Sequence, residues 1–163
     1  MIKSNWLLLK IILVITLAML CFTLSCQKQD VEADIAAIND LFKQATLACS
    51  TGDVELYLSL FTEDAVVMAT EFPSMNGMEE LRPPIEGVFG MFDLELPYTV
   101  DKVEVHGDCA FARSSFQYSM TLKEGGETTT RAGKELDIFK RQADGSWKIY
   151  MECWNYDAPL KVE

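Results

Sequence analysis

The sequence predicts an α+β fold, with helices first and an antiparallel sheet after them. Three observations carry that prediction. Apolar residues recur at helical spacing from Val31, and β-branched and aromatic runs fill the chain from Tyr98 onward. The stretches "EGGE" and "ADGS" separate the last runs as hairpin turns, with glycine supplying the positive φ such turns require.

In order along the chain, Ile35, Ile38, Phe42, Ala45 and Cys49 step by three and four, the pattern of an amphipathic helix. Gly52 ends it, because glycine accepts the left-handed cap conformation. Asp53 then caps a second short helix, "VELYLSLF", by accepting its free backbone N–H groups. "DAVVMA" follows as a β-branched strand and "FPSMNG" as a turn. "MEELRPPIEGVFGMF" opens like a third helix that Pro83-Pro84 should break or restart, since proline lacks a donor and crowds the preceding turn. Gly87 and Gly90, among Val88, Phe89, Met91 and Phe92, leave two alternatives there: a mobile apolar lid or a loop tucked into the core. Four strands complete the chain: "YTVDKVEVH", "AFARSSFQYSMTL", "TTTRAGKELDIFKRQ" and "SWKIYMECWN".

The start of the chain reads as a targeting segment. Lys3 and Lys10 precede "IILVITLAMLCFTL", an apolar run shorter than the roughly 20 residues that span a bilayer. Thr23-Leu24-Ser25-Cys26 resembles a bacterial lipobox, and the polar "QKQD" behind it suits a tether, so Cys26 is the expected lipidation site. The same residues also satisfy ordinary signal-peptide cleavage. Either route exports the domain to the cell envelope of a bacterium, lipid-anchored to the membrane through Cys26 or free in the periplasm. The expected organisation is a signal peptide over 1–25, a tether over 26–34, one domain over 35–157 and a tail over 158–163.

Charge and cysteine usage exclude several functions. The 163 residues carry 14 Lys+Arg against 25 Asp+Glu, a net −11; losing Lys3 and Lys10 leaves 12 against 25, or −13. Such a surface repels phosphate backbones, and no basic cluster interrupts it, so nucleic acid is not an expected partner. The acids favour either a cationic ligand or simple solubility. Cys49, Cys109 and Cys153 form no CxxC pair, and His106 is the single histidine. Closely spaced zinc or iron ligands are therefore missing, and no metal or cofactor is expected. A disulfide and free thiols both remain open.

The final hairpin carries the chemistry. A two-residue turn at Asp144-Gly145 sets Phe139 opposite Tyr150, Asp137 opposite Glu152 and Glu135 opposite Trp154 on one face. Ile138 with Met151, Leu136 with Cys153 and Lys140 with Ile149 occupy the other. If the aliphatic face is core, both acids sit in water. The aromatic load of the mixed face, and the repulsion between directly facing acids, argue instead that this face lines a pocket.

"GDVELYLSLFTEDAVV", "NGMEEL", "HGDCAFARSSF" and "DGSWKIYMECWN" resemble the nuclear transport factor two-like superfamily, in its SnoaL-like and ketosteroid isomerase-like branch. The resemblance covers about Ile35 to Asn155. It implies a cone-shaped, cystatin-like fold in which a curved antiparallel sheet wraps the N-terminal helices and leaves a pocket at its open end. It does not imply one activity, because the superfamily is functionally diverse. Of the isomerase's catalytic positions, the oxyanion-hole tyrosine falls on Ala45, the general base on Ala69 and the oxyanion-hole aspartate on Asp137. Alanine can neither take a proton nor donate to an enolate, so steroid isomerisation by that mechanism is not expected.

The same resemblance implies pocket positions at Phe139, Tyr150, Glu152 and Trp154, and on the preceding strand at Phe111, Arg113, Ser115 and Gln117. Tyr57 reaches the pocket or the core. Phe116, Tyr118, Leu136, Ile138, Ile149 and Met151 would face outward, and burying them would suit a homodimer. Asp137 and Glu152 are the catalytic candidates, since facing carboxyls push one pKa up and give an acid and a base. A structural network with Arg113 or Arg131 is the alternative. Three function classes follow: binding of a small organic molecule; a cofactor-independent lyase, isomerase or hydrolase; and an envelope protein-interaction module.

Overall fold

A computed structural model of the chain describes residues 30–158. The expected signal peptide, Cys26 and residues 159–163 lie outside the described residues. Helix α1 (Val31–Thr51) starts inside the stretch expected as a tether and buries Ile38, Leu41, Phe42, Ala45, Ala48 and Cys49. Gly52 at φ +70° closes it, and Asp53 Oδ1 accepts from the Leu56 amide at 2.9 Å to cap α2 (Val54–Ser59). Both ends of that junction match the sequence expectation.

Next come β1 (Phe61–Met68), the short β2 (Met75–Asn76), α3 (Met78–Met91) and β3 (Phe92–Glu95). The prolines do not break α3. Pro83 and Pro84 each remove a donor that would face Glu79 or Glu80, and both of these acidic residues are exposed, so water can serve their carbonyls. The segment expected as a lid or loop is thus the last turn of α3 and a strand, and it buries Phe89.

The remaining strands are β4 (Tyr98–His106), β5 (Cys109–Leu122), β6 (Thr129–Arg141) and β7 (Trp147–Tyr156). The sheet runs β2-β1-β7-β6-β5-β3, with β4 also on β5, and every pairing is antiparallel except β1 with β7. The result is an α+β fold whose curled half-barrel sheet cups the helices. Among the described residues no helix is long and apolar enough to cross a membrane.

One buried ion pair pins the first helix to the last hairpin. Arg141 donates to both Asp34 oxygens at 2.7 Å, and Trp147 Nε1 donates to Asp34 Oδ1 at 3.1 Å. The guanidinium also lies 4.3 Å from the Trp147 ring centre. Asp34 is only 7% exposed, so this saturation offsets the cost of burying its charge.

The hairpin register holds a compensating pair of departures. Arg141 pairs with Trp147 and Phe139 with Ile149, one residue off the expected match, because the turn spans Gln142 to Ser146 with Gly145 at φ +87°. Tyr150 is then an extra residue between Ile138–Met151 and Phe139–Ile149, a β-bulge that restores the expected register beyond it. Asp137 therefore faces Glu152 and Glu135 faces Trp154, as expected. Phe139 does not face Tyr150, and Lys140 pairs with Lys148 rather than with Ile149. Ile149 is buried, whereas Tyr150 turns outward beneath Lys140, whose Nζ lies 3.1 Å from its ring centre.

Strand β5 needs a larger correction. Ala112 pairs with Asp137 and Arg113 with Leu136, so it is Ala110, Ala112, Ser114 and Phe116 that face inward. Phe111, Arg113, Ser115 and Gln117 take the opposite face. A shift of one residue reverses every side chain of a strand; a two-residue turn at Gly125-Gly126 sets Ser114 opposite Asp137 and turns the even-numbered residues of β5 inward, against the positions the resemblance implied. Arg113 meets Asp101 at 3.4 Å outside the sheet, and Phe111 stacks on His106. Of the six residues expected outside, Phe116, Tyr118 and Ile149 belong to the inner side, while Leu136, Ile138 and Met151 stay on the outer one.

Candidate functional site

The concave face of the sheet and the helices enclose a cavity of about 320 Å³. Its walls are mainly apolar: Leu81, Ile85, Val88 and Phe89 from α3 face Phe116, Tyr118 and Trp154 from the sheet. Phe116 is central to this wall, touching Tyr98, Trp154 and Tyr156 edge-on at 6.1–6.4 Å between ring centres. Gly133 makes that position available, since a Cβ there would come within 2.3 Å of the Phe116 ring.

A much smaller recess, about 10 Å³, lies at the narrow end. It shares Tyr57, Tyr98, Glu135 and Glu152 with the cavity and adds Asp137, Phe139 and Ala45. That volume suits about one water-sized group. Ala45 in the recess wall and Ala69 in the cavity wall occupy the two positions where the isomerase pattern has catalytic residues.

Three carboxyls meet here. Asp137 is 1% exposed, and Glu135 and Glu152 are each 6% exposed. Ser114 Oγ donates to Glu135 Oε1 at 3.1 Å. Burial pushes the Glu135 carboxyl up to about 7, against the lowering effect of hydrogen bonds from Asp137 and Ser114. Burial, then the charges of Glu135 and Glu152, holds Asp137 well above the usual carboxylate range. Glu152 is raised too, by burial and then by Glu135. Asp137 thus keeps the proton it shares with Glu135, while its Oδ1 has no hydrogen-bond partner.

Among the described residues, no Lys, Arg or His belongs to the walls of either space. Burial, then nearby Glu152, pushes the Cys49 thiol up to about 12, so it stays protonated and unreactive. Burial, then Glu152 for Tyr57 and Glu135 for Tyr98, also raises both phenols. Among the described residues no group of three or more His, Cys, Asp or Glu side chains is arranged to hold a metal ion.

The structure therefore brings Tyr57, Asp137, Phe139, Glu152 and Trp154 together around the hollow. It leaves out Phe111, Arg113, Ser115, Gln117 and Tyr150. The compensating cation expected from Arg113 does not reach the acids. Glu135 is the main omission: it sits two residues before Asp137 on the same strand, and strand alternation alone puts both on one face. Tyr98 could not be found this way, because a bulge between Val100 and Lys102 reverses the parity that the Gly107-Asp108 turn sets for β4.

The profile of the SnoaL-like domain matches residues 31–150. The chain belongs to the SnoaL-like domain family. Solved structures agree. A ketosteroid isomerase-like protein from Erwinia carotovora atroseptica is 27% identical, with a TM-score of 0.68 over 76% of this chain and 96% of that one. A nuclear transport factor two-like superfamily protein from Salmonella enterica shares the fold at 16% identity and TM-score 0.64, over 77% and 92% of the two chains. A nuclear transport factor two-like protein with a cystatin-like fold from Novosphingobium aromaticivorans does so at 18% and 0.66, over 79% and 85%. No curated protein matches the chain.

Proposed function

We propose that this SnoaL-like domain binds a small organic molecule with an apolar body and a polar end, the polar end meeting the carboxyl cluster. The observation that carries this reading is the 320 Å³ cavity, apolar along its length and acidic at its narrow end. Native mass spectrometry of freshly purified protein should detect a retained small molecule. Ala69→Trp, which fills the cavity from its wall, should lose that molecule and any ligand-induced rise in Tm. Retention of the same molecule by the Trp variant would sink the reading.

A second reading is favoured by the proton shared between Glu135 and Asp137. Two neighbouring carboxyls with divergent proton affinities can serve as acid and base, so Asp137 and Glu152 are the residues of a cofactor-independent lyase, isomerase or hydrolase. Asp137→Asn should then abolish turnover while Tm stays near that of the parent.

The rest of the proposal concerns assembly and location. The N-terminal sequence supports export, with Cys26 as the lipid attachment point. Leu136 (50% exposed), Ile138 and Met151 support pairing of two copies through the outer sheet face. Leu136→Glu should shift a dimer to monomer in sedimentation; an unchanged mass would remove this face from consideration.

A further inference from the structure

We propose that the narrow end of the cavity receives an organic ammonium group, carried on an apolar body of about one ring. This rests on the small-molecule reading above and names its ligand class. Three carboxyls from two adjacent strands converge on one recess, and no basic side chain lines it. Ser114 donates to Glu135, yet none of the hydroxyls around the recess reaches the Oδ1 of Asp137. Geometry thus leaves one acceptor open at the centre of the three carboxyls, the Oδ1 of a fully buried Asp137.

A buried acceptor without a donor is costly, so the missing component is a donor. A ligand carbonyl would bring another acceptor, and a ligand carboxylate another negative charge. An ammonium brings up to three N–H donors and the counter-charge together. Its head is close to the size of a water, which the recess volume of about 10 Å³ matches. Tyr57 and Tyr98 line the recess as well, and the negative faces of aromatic rings favour a cation. The chain's net charge of −11 enriches cations around it.

Binding is linked to a proton. The ammonium needs an ionised partner, so a carboxyl that is protonated in the empty site releases its proton to solvent as the amine enters. The polar groups lining the recess are Tyr57 on α2, Tyr98 on β4, Glu135 and Asp137 on β6, and Glu152 on β7, with Ser114 on β5 bonded to Glu135 and Cys49 on α1 in the adjoining cavity wall. The thiol and both phenols are pushed upward by burial and stay neutral near pH 7, leaving the carboxyls to set the dependence.

Calorimetry on the intact domain with phenylethylamine, phenylethanol and phenylpropionate tests this. The amine should bind about tenfold or more tighter than the alcohol near neutral pH. Its affinity should climb between about pH 5 and 8 with measurable proton release. Glu152→Gln should erase most of the preference while alcohol binding persists, and Glu135→Gln serves if that variant does not fold. An alcohol that binds as tightly as the amine would overturn the ammonium inference and leave the cavity reading standing. If none of the three binds, both fall.

Discussion

The final hairpin holds two buried acidic sites that differ in one respect. At its turn end, Asp34 is met by both nitrogens of Arg141 and by the Trp147 indole. Midway along, Glu135, Asp137 and Glu152 share one serine hydroxyl and one another's protons, with no cation. The first arrangement satisfies every demand that burying a carboxylate makes. The second leaves those demands open, which folding alone would not select. Partner saturation, more than burial or charge, separates the acid that holds the fold from the acids that wait for something to bind.

The sharpest way to break this contrast is to truncate each acid. Asp34→Ala should cost about 3 kcal/mol in urea denaturation, because it removes the shared acceptor of Arg141 and Trp147, although Arg141 Nε keeps Asp108 at 3.1 Å. Asp137→Asn should stay within about 1 kcal/mol of the parent at neutral pH, since the amide can still donate to Glu135. If Asp137→Asn costs as much as Asp34→Ala, the cluster is structural and the contrast fails.

Titration should separate the sites next. Burial raises the folded pKa of Glu135 from its ordinary 4.5 to about 7, so its contribution is fully present below about pH 4.5 and is lost as pH rises through 7. The unliganded domain should therefore lose on the order of 3 kcal/mol from this group across that window, and Glu135→Gln should make the profile shallower without removing it, since Asp137 and Glu152 are raised too. A Tm that instead rises with pH there would contradict the protonated state of the cluster. Smallest of all, Arg113→Ala should change stability by less than about 0.5 kcal/mol, since its ion pair with Asp101 is largely in water. It should leave ligand affinity untouched.

That last expectation marks where the sequence stopped being legible. The hairpin acids were placed on the correct face because Asp144-Gly145 lies only a few residues away. Even so, the turn was one residue longer than expected, and the bulge at Tyr150 cancelled the difference. Neither departure has a local signature, so Tyr150 was expected inside the hollow. Strand β5 is assigned from resemblance rather than from the Gly125-Gly126 turn, whose parity is the observed one, and its whole ligand set lies on the wrong side. Helix caps were read well, since Gly52 and Asp53 act through their own backbone. The prolines of α3 were misjudged, because the penalty depends on whether the freed carbonyls reach water, a tertiary fact.

The parallel pairing of β1 with β7 has a consequence for how the chain acquires its shape. Phe61 and Ile149 are neighbours across this seam, and β1's remaining partner is the two-residue β2. The strand made early in synthesis must therefore wait, nearly unzipped, for the last strand to be made. Contacts that span so much sequence slow the search for the native state. A ribosome-stalled chain ending before Trp147 should consequently remain open to proteases at β1, however well its leading helices have formed.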